Sequence, residues 1–340
     1  MKQYYKESLT KDEKKIYEAV LKGIRSFENE IVIEAVPDKD VLHKSITSVQ
    51  KDNPELFYVS FSKFQFSKTG DSIIFYPSYY YDSKKYKTKK KELENKLKDI
   101  QRYLSKFDNK RTYRTVMAIH DYLVNNCEYD RTVFEIPEMT EADHRSFTIE
   151  GPLLNEKGVC MGISLAFKYL CEVFQKETII VTGRSLNPVN CTQNADHAWN
   201  LINDNGTYAH IDVTWDKCSG NKDFSLVYDY FYLPDDDMKK DHEYSGYPLC
   251  RNRHFSFFDR NCLDFSSFDE ISRYLKTVIK EEKNIYYFYF RFKKTNFTGK
   301  EIADYVSKAV SEKFKYRYKA RYSINERQSV FKMVLEPSNV

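Results

Sequence analysis

Apolar residues recur at helical spacing through the first third of the chain. Where they stand three and four residues apart, they define one buried face of a helix. Four segments with this pattern are predicted helices: 10–27, 38–49, 83–107 and 112–125. The cap of the first is either Ser8 or Thr10. Two segments rich in strand-forming residues, 56–61 and 72–77, predict strands joined through the turn signal Lys68–Asp71. Residues 1–108 are therefore expected to form an N-terminal α/β domain.

A second α/β pattern occupies the C-terminal end of the chain. Its predicted elements are an aromatic strand, an amphipathic helix and the two strands of a hairpin: 284–292, 298–314, 316–322 and 329–336. We therefore expect a small C-terminal α/β domain over residues 266–340. Residues 109–265 remain as a central domain.

The central domain carries a cysteine at the start of a predicted helix. Asn155–Gly158 has turn chemistry, and apolar residues after Cys160 repeat at helical spacing. A helix N-terminus favours a thiolate, because its unpaired N–H groups and dipole stabilise negative charge. Gly158 and Gly162 are expected to leave the sulfur reachable and backbone N–H groups open to an oxyanion. Taken alone, Cys160 is more simply interpreted as a buried core cysteine.

A histidine and an aspartate follow in a predicted β-hairpin. One strand begins at His197, the second runs past Asp212, and Asn205–Gly206 is the turn between them. With this turn the two residues are offset by two positions, which keeps them on one face of pleated strands. The carboxylate can then hold the imidazole tautomer while the second ring nitrogen faces the thiol. Cys160, His197 and Asp212 are therefore predicted to form a catalytic triad.

Two other residues of the hairpin offer alternative interpretations. His210 shares a face with Asp212, so it is an alternative base. Trp199 lies two residues from His197 on the same face, where it either lines a substrate cleft or packs in the core.

An acidic cluster follows the hairpin. Its residue types, carboxylates and a histidine, resemble those of a metal site: Asp235, Asp236, Asp237, Asp241, His242 and Glu243. The spacing matches no fixed ligand pattern, so a capped surface helix is the preferred interpretation. We expect no metal and no organic cofactor.

Composition and charge narrow the function classes. The chain has 340 residues with 28 Tyr and 24 Phe, a content that favours folded domains over disorder. A net charge of +4 from 54 basic and 50 acidic groups gives no electrostatic case for nucleic-acid binding. No window approaches the roughly 18 apolar residues of a membrane helix. We therefore expect no nucleic-acid partner and no membrane span, and the expected partner is a protein or peptide substrate.

The cysteines and the N-terminus bear on the cellular compartment. Seven irregularly spaced cysteines without a CxxC pair indicate neither a disulfide framework nor a zinc finger. The first residues contain no apolar segment of a signal peptide. These features predict buried thiols in the cytoplasm. A leader removed ahead of residue 1 would instead indicate a secreted or surface protein.

Three motifs around the predicted triad resemble the transglutaminase-like superfamily in its microbial branch. They are Gly-Val-Cys-Met-Gly-Ile-Ser from Gly158, His-Ala-Trp-Asn from His197 and His-Ile-Asp-Val-Thr-Trp-Asp from His210. The resemblance covers roughly residues 112–248. It implies an α+β, papain-like core, in which the helix with the nucleophile packs on an antiparallel sheet that brings the other two residues.

The resemblance also implies roles for individual residues. Cys160 is the implied nucleophile, His197 the base and Asp212 the orienting acid. The family places an oxyanion partner upstream of the cysteine, and Tyr129 is the candidate here. Animal cross-linking members have Gly-Gln-Cys-Trp where this chain has Gly-Val-Cys-Met, and their acidic calcium loops are not recognisable.

The expected activity is amide chemistry through a Cys160 thioester. Attack by water on the thioester would make the protein a peptidase or deamidase, and attack by an amine would make it a transglutaminase. Hydrolysis is preferred. A binding or scaffold protein on the same fold is the alternative from another class.

Overall fold

The N-terminal segment combines helices with a three-stranded antiparallel sheet. The computed structural model of the chain describes residues 3–107, 111–136, 139–186, 196–252, 256–281, 283–293, 297–315 and 317–338. The first elements are α1 (Tyr4–Ser8), α2 (Lys11–Arg25), β1 (Ile31–Ile33), α3 (Lys39–Asp52), β2 (Val59–Thr69), β3 (Ser72–Tyr79) and α4 (Ser83–Leu104). The strand order is β1-β3-β2. Thr10 begins α2 with a capping box that includes Glu13, so the predicted helix start is confirmed.

The N-terminal segment shares its apolar interior with the central part of the chain. One cluster of buried side chains extends from Leu9 to Tyr232. The long helix α4 buries one stripe of four residues, Leu93, Leu97, Ile100 and Leu104. Its many lysines are therefore on the remaining, solvated surface. The predicted domain boundary at residue 108 lies outside the described residues.

The central part is built around a five-stranded antiparallel sheet. Its elements are α5 (Thr112–Asn126), β4 (Glu128–Tyr129), α6 (Glu141–His144), β5 (Lys157–Gly158), α7 (Cys160–Val173), β6 (Thr178–Ser185), β7 (Asp196–Asp204), β8 (Thr207–Ile211), α8 (Val213–Ser219), β9 (Phe231–Leu233), α9 (Asp235–Met238) and β10 (His242–Glu243). The strand order is β10-β6-β7-β8-β9. Helix α7 packs on β6 and β7, and the side-chain amide of Asn200 donates to the carbonyl of Ser164 in α7.

The predicted hairpin at Asn205–Gly206 is confirmed. Asp204 pairs with Thr207, which leaves a two-residue turn. Asn205 and Gly206 have positive φ values of 56° and 87°, the left-handed conformations that a type I′ turn requires. This turn fixes the register that places His197 and Asp212 near each other.

The C-terminal segment forms a four-stranded sheet with its own apolar cluster. Its elements are α10 (Phe257–Arg260), β11 (Asp264–Phe265), α11 (Phe268–Val278), β12 (Tyr286–Phe292), α12 (Gly299–Phe314), β13 (Tyr318–Asn325) and β14 (Val330–Pro337). The order is β11-β12-β14-β13, with β11 parallel to β12. Strand β11 begins at Asp264, before the predicted domain boundary at residue 266.

The C-terminal sheet is joined to the central part through buried polar contacts. Lys332 Nζ lies 2.9 Å from Asp229 Oδ2, and both side chains are almost fully buried. The hydroxyl of Tyr289 donates to the same carboxylate at 2.8 Å. A buried ion pair of this kind fixes orientation, because separating its members would leave an uncompensated charge.

Candidate active site

Cys160 is the first residue of α7, as predicted. Val159 precedes it as the N-cap and supplies no side-chain hydrogen bond to the helix end. Unpaired N–H groups of the first turn therefore lie next to the sulfur. Cys160 is partly exposed, whereas the free thiols of Cys127, Cys171 and Cys250 are buried. Cys160 is thus not the buried core cysteine of the simpler interpretation.

The two glycines that flank Cys160 serve close packing. A Cβ at Gly162 would collide with the backbone carbonyl of Ser146, and a Cβ at Gly158 would meet Pro152 Cγ at 2.6 Å. Both glycines let the start of α7 approach the preceding segment. The expectation from the sequence was that these glycines leave the sulfur reachable; the structure adds that they are needed for this close packing.

His197 and Asp212 form the shortest polar contact of the site. His197 Nε2 lies 2.6 Å from Asp212 Oδ2. Asp212 Oδ1 accepts the backbone N–H of Trp215 at 2.9 Å, so the carboxylate also caps α8. The second strand of the hairpin was predicted to run past Asp212. It ends at Ile211, because this cap starts a helix at the next residue.

The electrostatics of the pair favour an imidazolium facing a carboxylate. Burial opposes charge on His197, but the charge and hydrogen bond of Asp212 outweigh it and raise the pKa of His197 to about 10. Cys160 adds to this rise through its own hydrogen bond and charge. Burial likewise opposes the charge of Asp212, yet His197 and His242 hold the pKa of that carboxyl well below its usual range. With Nε2 bound to Asp212, Nδ1 is the ring nitrogen left for the thiol.

A cavity of about 510 Å³ opens beside Cys160 and His197. Apolar side chains form much of its wall: Tyr129, Phe134, Phe147, Val159 and Met161. Phe134 is 43% exposed, so part of its ring is open to solvent at this cavity. On another side the wall includes the polar residues Thr182, Arg184 and Asp196.

Tyr129, the predicted oxyanion partner, lies at this cavity. It is in β4, which pairs with β5 just before Cys160. Burial and the neighbouring Cys160 and Asp212 raise the pKa of Tyr129 well above its usual range. Its hydroxyl therefore keeps its proton at neutral pH and is available as a hydrogen-bond donor.

Trp199 does not line the cavity and belongs to the core. Its ring is 1% exposed, stacks on His197 at 5.7 Å and donates its N–H to His210 Nδ1 at 3.0 Å. An indole has one donor, so Trp199 has none left for substrate. Of the two interpretations of Trp199, a residue of the substrate cleft or of the core, the structure favours the core.

His210, the alternative base, is held in a separate buried network. Its Nε2 lies 3.0 Å from Asp235 Oδ1, and Tyr244 donates to the same carboxylate oxygen at 2.6 Å. Because the indole of Trp199 can only donate, His210 Nδ1 carries no hydrogen and Nε2 must carry it. A metal ligand would need that nitrogen free, so the cluster of His210, Asp235 and Cys250 is a satisfied hydrogen-bond network.

The acidic cluster after the hairpin is not a surface helix throughout. Only Asp235–Met238 is helical, and Asp241 and His242 are 1% exposed. His242 Nε2 lies 3.2 Å from Asp212 Oδ2, next to the contact made by His197. This contact was missed in the sequence. His242 follows Asp212 by 30 residues in an acidic segment that resembles an exposed one.

One cysteine departs from the expectation of free thiols. Cys218, at the end of α8, is disulfide-bonded. Cys191 lies outside the described residues.

Among the described helices, none combines the length and the apolar character needed to cross a bilayer.

Comparisons with known proteins give partial structural likenesses. No protein-family model and no curated protein matches the chain. A crystal structure of a TGase is similar with 12% identity and a TM-score of 0.31, over 57% of this chain and 52% of that one. A "putative cysteine protease" from Cytophaga hutchinsonii is similar with 16% identity and a TM-score of 0.27, over 45% of this chain and 61% of that one.

The matched regions span between about half and three fifths of the chains in the two solved structures. Mixed helix and sheet content, expected from the periodicities, is confirmed by the elements themselves. At TM-scores below 0.5 the likenesses carry no information about chemistry in this chain, which is inferred from its side chains.

Proposed function

We propose that the protein is a thiol enzyme that cleaves amide bonds through an acyl thioester on Cys160. The observation that carries this proposal is the 2.6 Å contact between His197 Nε2 and Asp212 Oδ2 beside a partly exposed cysteine at a helix start. A nucleophile, a base and a group that orients the base are the minimum set for acyl transfer.

The first step forms the thioester. The Cys160 thiolate attacks the substrate carbonyl carbon, and the C–N bond breaks as His197 gives its proton to the leaving amine. In the second step His197 removes a proton from water, the resulting oxygen attacks the thioester, and the sulfur leaves. The products are a carboxylic acid and an amine, and the enzyme returns to its initial state.

Tyr129 is our candidate for stabilising the oxyanion in both steps. Its protonated hydroxyl and the first-turn N–H groups of α7 are donors beside Cys160 that could receive the negative oxygen. Tyr129→Phe should therefore lower kcat with little change in KM, because the donor is needed in the transition state.

The cavity wall supports an acyl group with an apolar side chain. Phe134 and Phe147 meet edge to face at 6.4 Å, and Phe134 stacks on Tyr129 at 6.5 Å. Burying an aromatic or aliphatic side chain of the substrate against this wall contributes more binding free energy than burying a charged one. We infer that the substrate is a peptide or protein with an apolar residue on the acyl side of the bond.

Hydrolysis is the favoured outcome, and transamidation is the second candidate. The two are separated by supplying peptide amides with apolar acyl residues, with and without a primary amine. Release of free acid unaffected by the amine supports a hydrolase, and incorporation of the amine supports a transglutaminase. Cys160→Ala should abolish both, whereas Cys171→Ala, which removes a buried thiol on the same helix, should keep turnover.

A scaffold function on the same fold would give a different result. The native protein would then turn over none of these amides and would bind them equally well after Cys160→Ala. This outcome would exclude the proposed chemistry.

A further inference from the structure

A second histidine contacts the carboxylate that orients His197. His242 Nε2 lies 3.2 Å from Asp212 Oδ2, the same oxygen that His197 Nε2 contacts at 2.6 Å. The other oxygen of Asp212 is taken by the backbone N–H of Trp215. Asp212 is thus held by three donors from β7, α8 and β10.

His242 lies between two buried carboxyl groups. Its Nδ1 is 2.8 Å from Asp241 Oδ1, and its Nε2 is 3.2 Å from Asp212 Oδ2. Asp212 and Asp241 are almost fully buried, so His242 is a polar partner for both of them in a part of the protein that is closed to water.

This position lets His242 orient the Asp212–His197 pair. Its hydrogen bond to Asp212 Oδ2 keeps that oxygen in line with His197 Nε2. A thiol nucleophile is activated by a correctly oriented base, so loss of His242 should weaken the activation of Cys160.

Hydrogen bonds continue from His242 into the C-terminal sheet. Asp241 Oδ2 accepts the hydroxyl of Tyr230 at 2.8 Å and the side-chain amide of Gln328 at 3.1 Å. Asn325 donates to the Tyr230 hydroxyl at 3.2 Å. Gln328 follows β13 in the turn to β14, so the C-terminal segment supports the residue that holds His242.

Aromatic packing excludes water from this support. The His242 ring lies 4.2 Å from Trp215, 4.9 Å from Trp199 and 5.8 Å from Tyr230 between ring centroids. In a site without water the two hydrogen bonds of His242 are not readily replaced. The titratable groups that face it are Asp212, Asp241, His197, His210 and Tyr230.

We propose that His242 is a positioning residue for the Asp212–His197 pair and that the C-terminal segment supports it through Asp241. This inference rests on the proposed function, because it assigns His242 a role in activating Cys160. The proposal gives the C-terminal segment an indirect part in activity. None of the described residues of that segment lines the cavity.

The test is the pH dependence of iodoacetamide alkylation at Cys160, followed by peptide mass spectrometry. Exposed Cys262 is the internal reference for an ordinary thiol in the same molecule. His242→Phe keeps the aromatic packing and removes both hydrogen bonds. His242→Gln keeps an amide that can donate to Asp212. Gln328→Ala removes the outermost contact without touching the triad, and circular dichroism checks that each variant folds.

We expect His242→Phe to slow the alkylation of Cys160 at pH 7 by about tenfold, which is the size of effect that the loss of one charge-assisted hydrogen bond produces. The pH profile of alkylation should also move towards alkaline pH. His242→Gln should recover part of that loss, and Gln328→Ala should shift the profile in the same direction by less. Cys262 should be unaffected in all three.

Two results would contradict different parts of the account. Fast alkylation of Cys160 in the native protein with an unchanged profile in folded His242→Phe would overturn the role of His242 alone. Alkylation of Cys160 no faster than that of Cys262 in the native protein would overturn the proposed function and this inference together.

Discussion

His197 and Asp212 are joined by a 2.6 Å contact, and the same carboxylate caps the helix that follows it. One oxygen of Asp212 therefore orients the imidazole while the other holds the start of α8. Because the capping bond fixes the carboxylate, its orientation towards His197 costs little further ordering when the substrate binds.

Replacing Asp212 should disable the base while leaving the cavity intact. Asp212→Asn keeps the shape, but its amide can hold the imidazole in the wrong tautomer. We expect kcat to fall by roughly two to four orders of magnitude with little change in KM. Steady-state kinetics on an apolar peptide amide would measure this.

The matched control for Asp212 is His210 on the neighbouring strand. His210→Ala should lower thermal stability, because it leaves the buried Trp199 N–H without its acceptor and removes one of the donors to Asp235, but the folded fraction should keep its kcat. Inactive, folded His210→Ala together with active His197→Ala would mean that the base is misassigned.

The pKa of His197 sets the alkaline limit of activity. It is raised to about 10, so the imidazole keeps the proton that the leaving amine needs at all lower pH values. Activity should therefore persist into alkaline solution and decline as the pH passes through about 10. In Asp212→Asn the main stabilising charge is gone, so the residual activity should decline at lower pH. A native profile that declines near the ordinary histidine value of about 6.5 would contradict this.

The apolar wall of the cavity predicts substrate preference. Phe134→Ala should lower kcat/KM by roughly tenfold for amides with an aromatic acyl residue, in line with the loss of a buried aromatic contact. For acidic acyl residues the effect should be small. Phe66→Ala is a matched control, since Phe66 is 45% exposed on β2 and Phe134 is 43% exposed. Equal losses in both variants would show that the wall is not a binding surface.

The buried pair of Lys332 and Asp229 should hold the C-terminal sheet in place. Lys332→Met leaves the Asp229 carboxylate buried without its cation, which costs about 3–5 kcal/mol of unfolding free energy. Urea denaturation followed by tryptophan fluorescence would measure it. Lys300→Met is the control, because Lys300 pairs with Asp304 on the solvated surface and its loss should leave the transition unchanged. A Lys332→Met variant as stable as this control would contradict the inferred role.

The contact between His197 and Asp212 and the helix start at Cys160 could be predicted from the sequence because they depend on local signals. Asn205–Gly206 fixes the hairpin register, and the glycines and apolar spacing around Cys160 fix a helix start. The end of β8 was missed, because an aspartate that caps a helix and one that continues a strand are alike in sequence. Only the structure shows that the backbone N–H of Trp215 turns towards Asp212.

Contacts between distant segments could not be predicted. His242 lies in an acidic segment whose local composition indicates a surface, and its burial depends on Trp199, Trp215 and the C-terminal sheet. The packing of the N-terminal helices on the central core could not be predicted either, because it depends on apolar faces that meet only after folding. Amphipathic periodicity tells which face is buried and does not tell what covers it.

Trapping the acyl-enzyme tests the central claim most directly. The native protein would be mixed at pH 7 with an activated ester of N-acetyl-phenylalanine, quenched in acid, and mapped by peptide mass spectrometry. We predict the N-acetyl-phenylalanyl group on Cys160, its loss in Cys160→Ala, and strong reduction in His197→Ala. Acylation of exposed Cys262 to the same extent as Cys160, or a folded native protein with no acyl group on Cys160, would contradict the account.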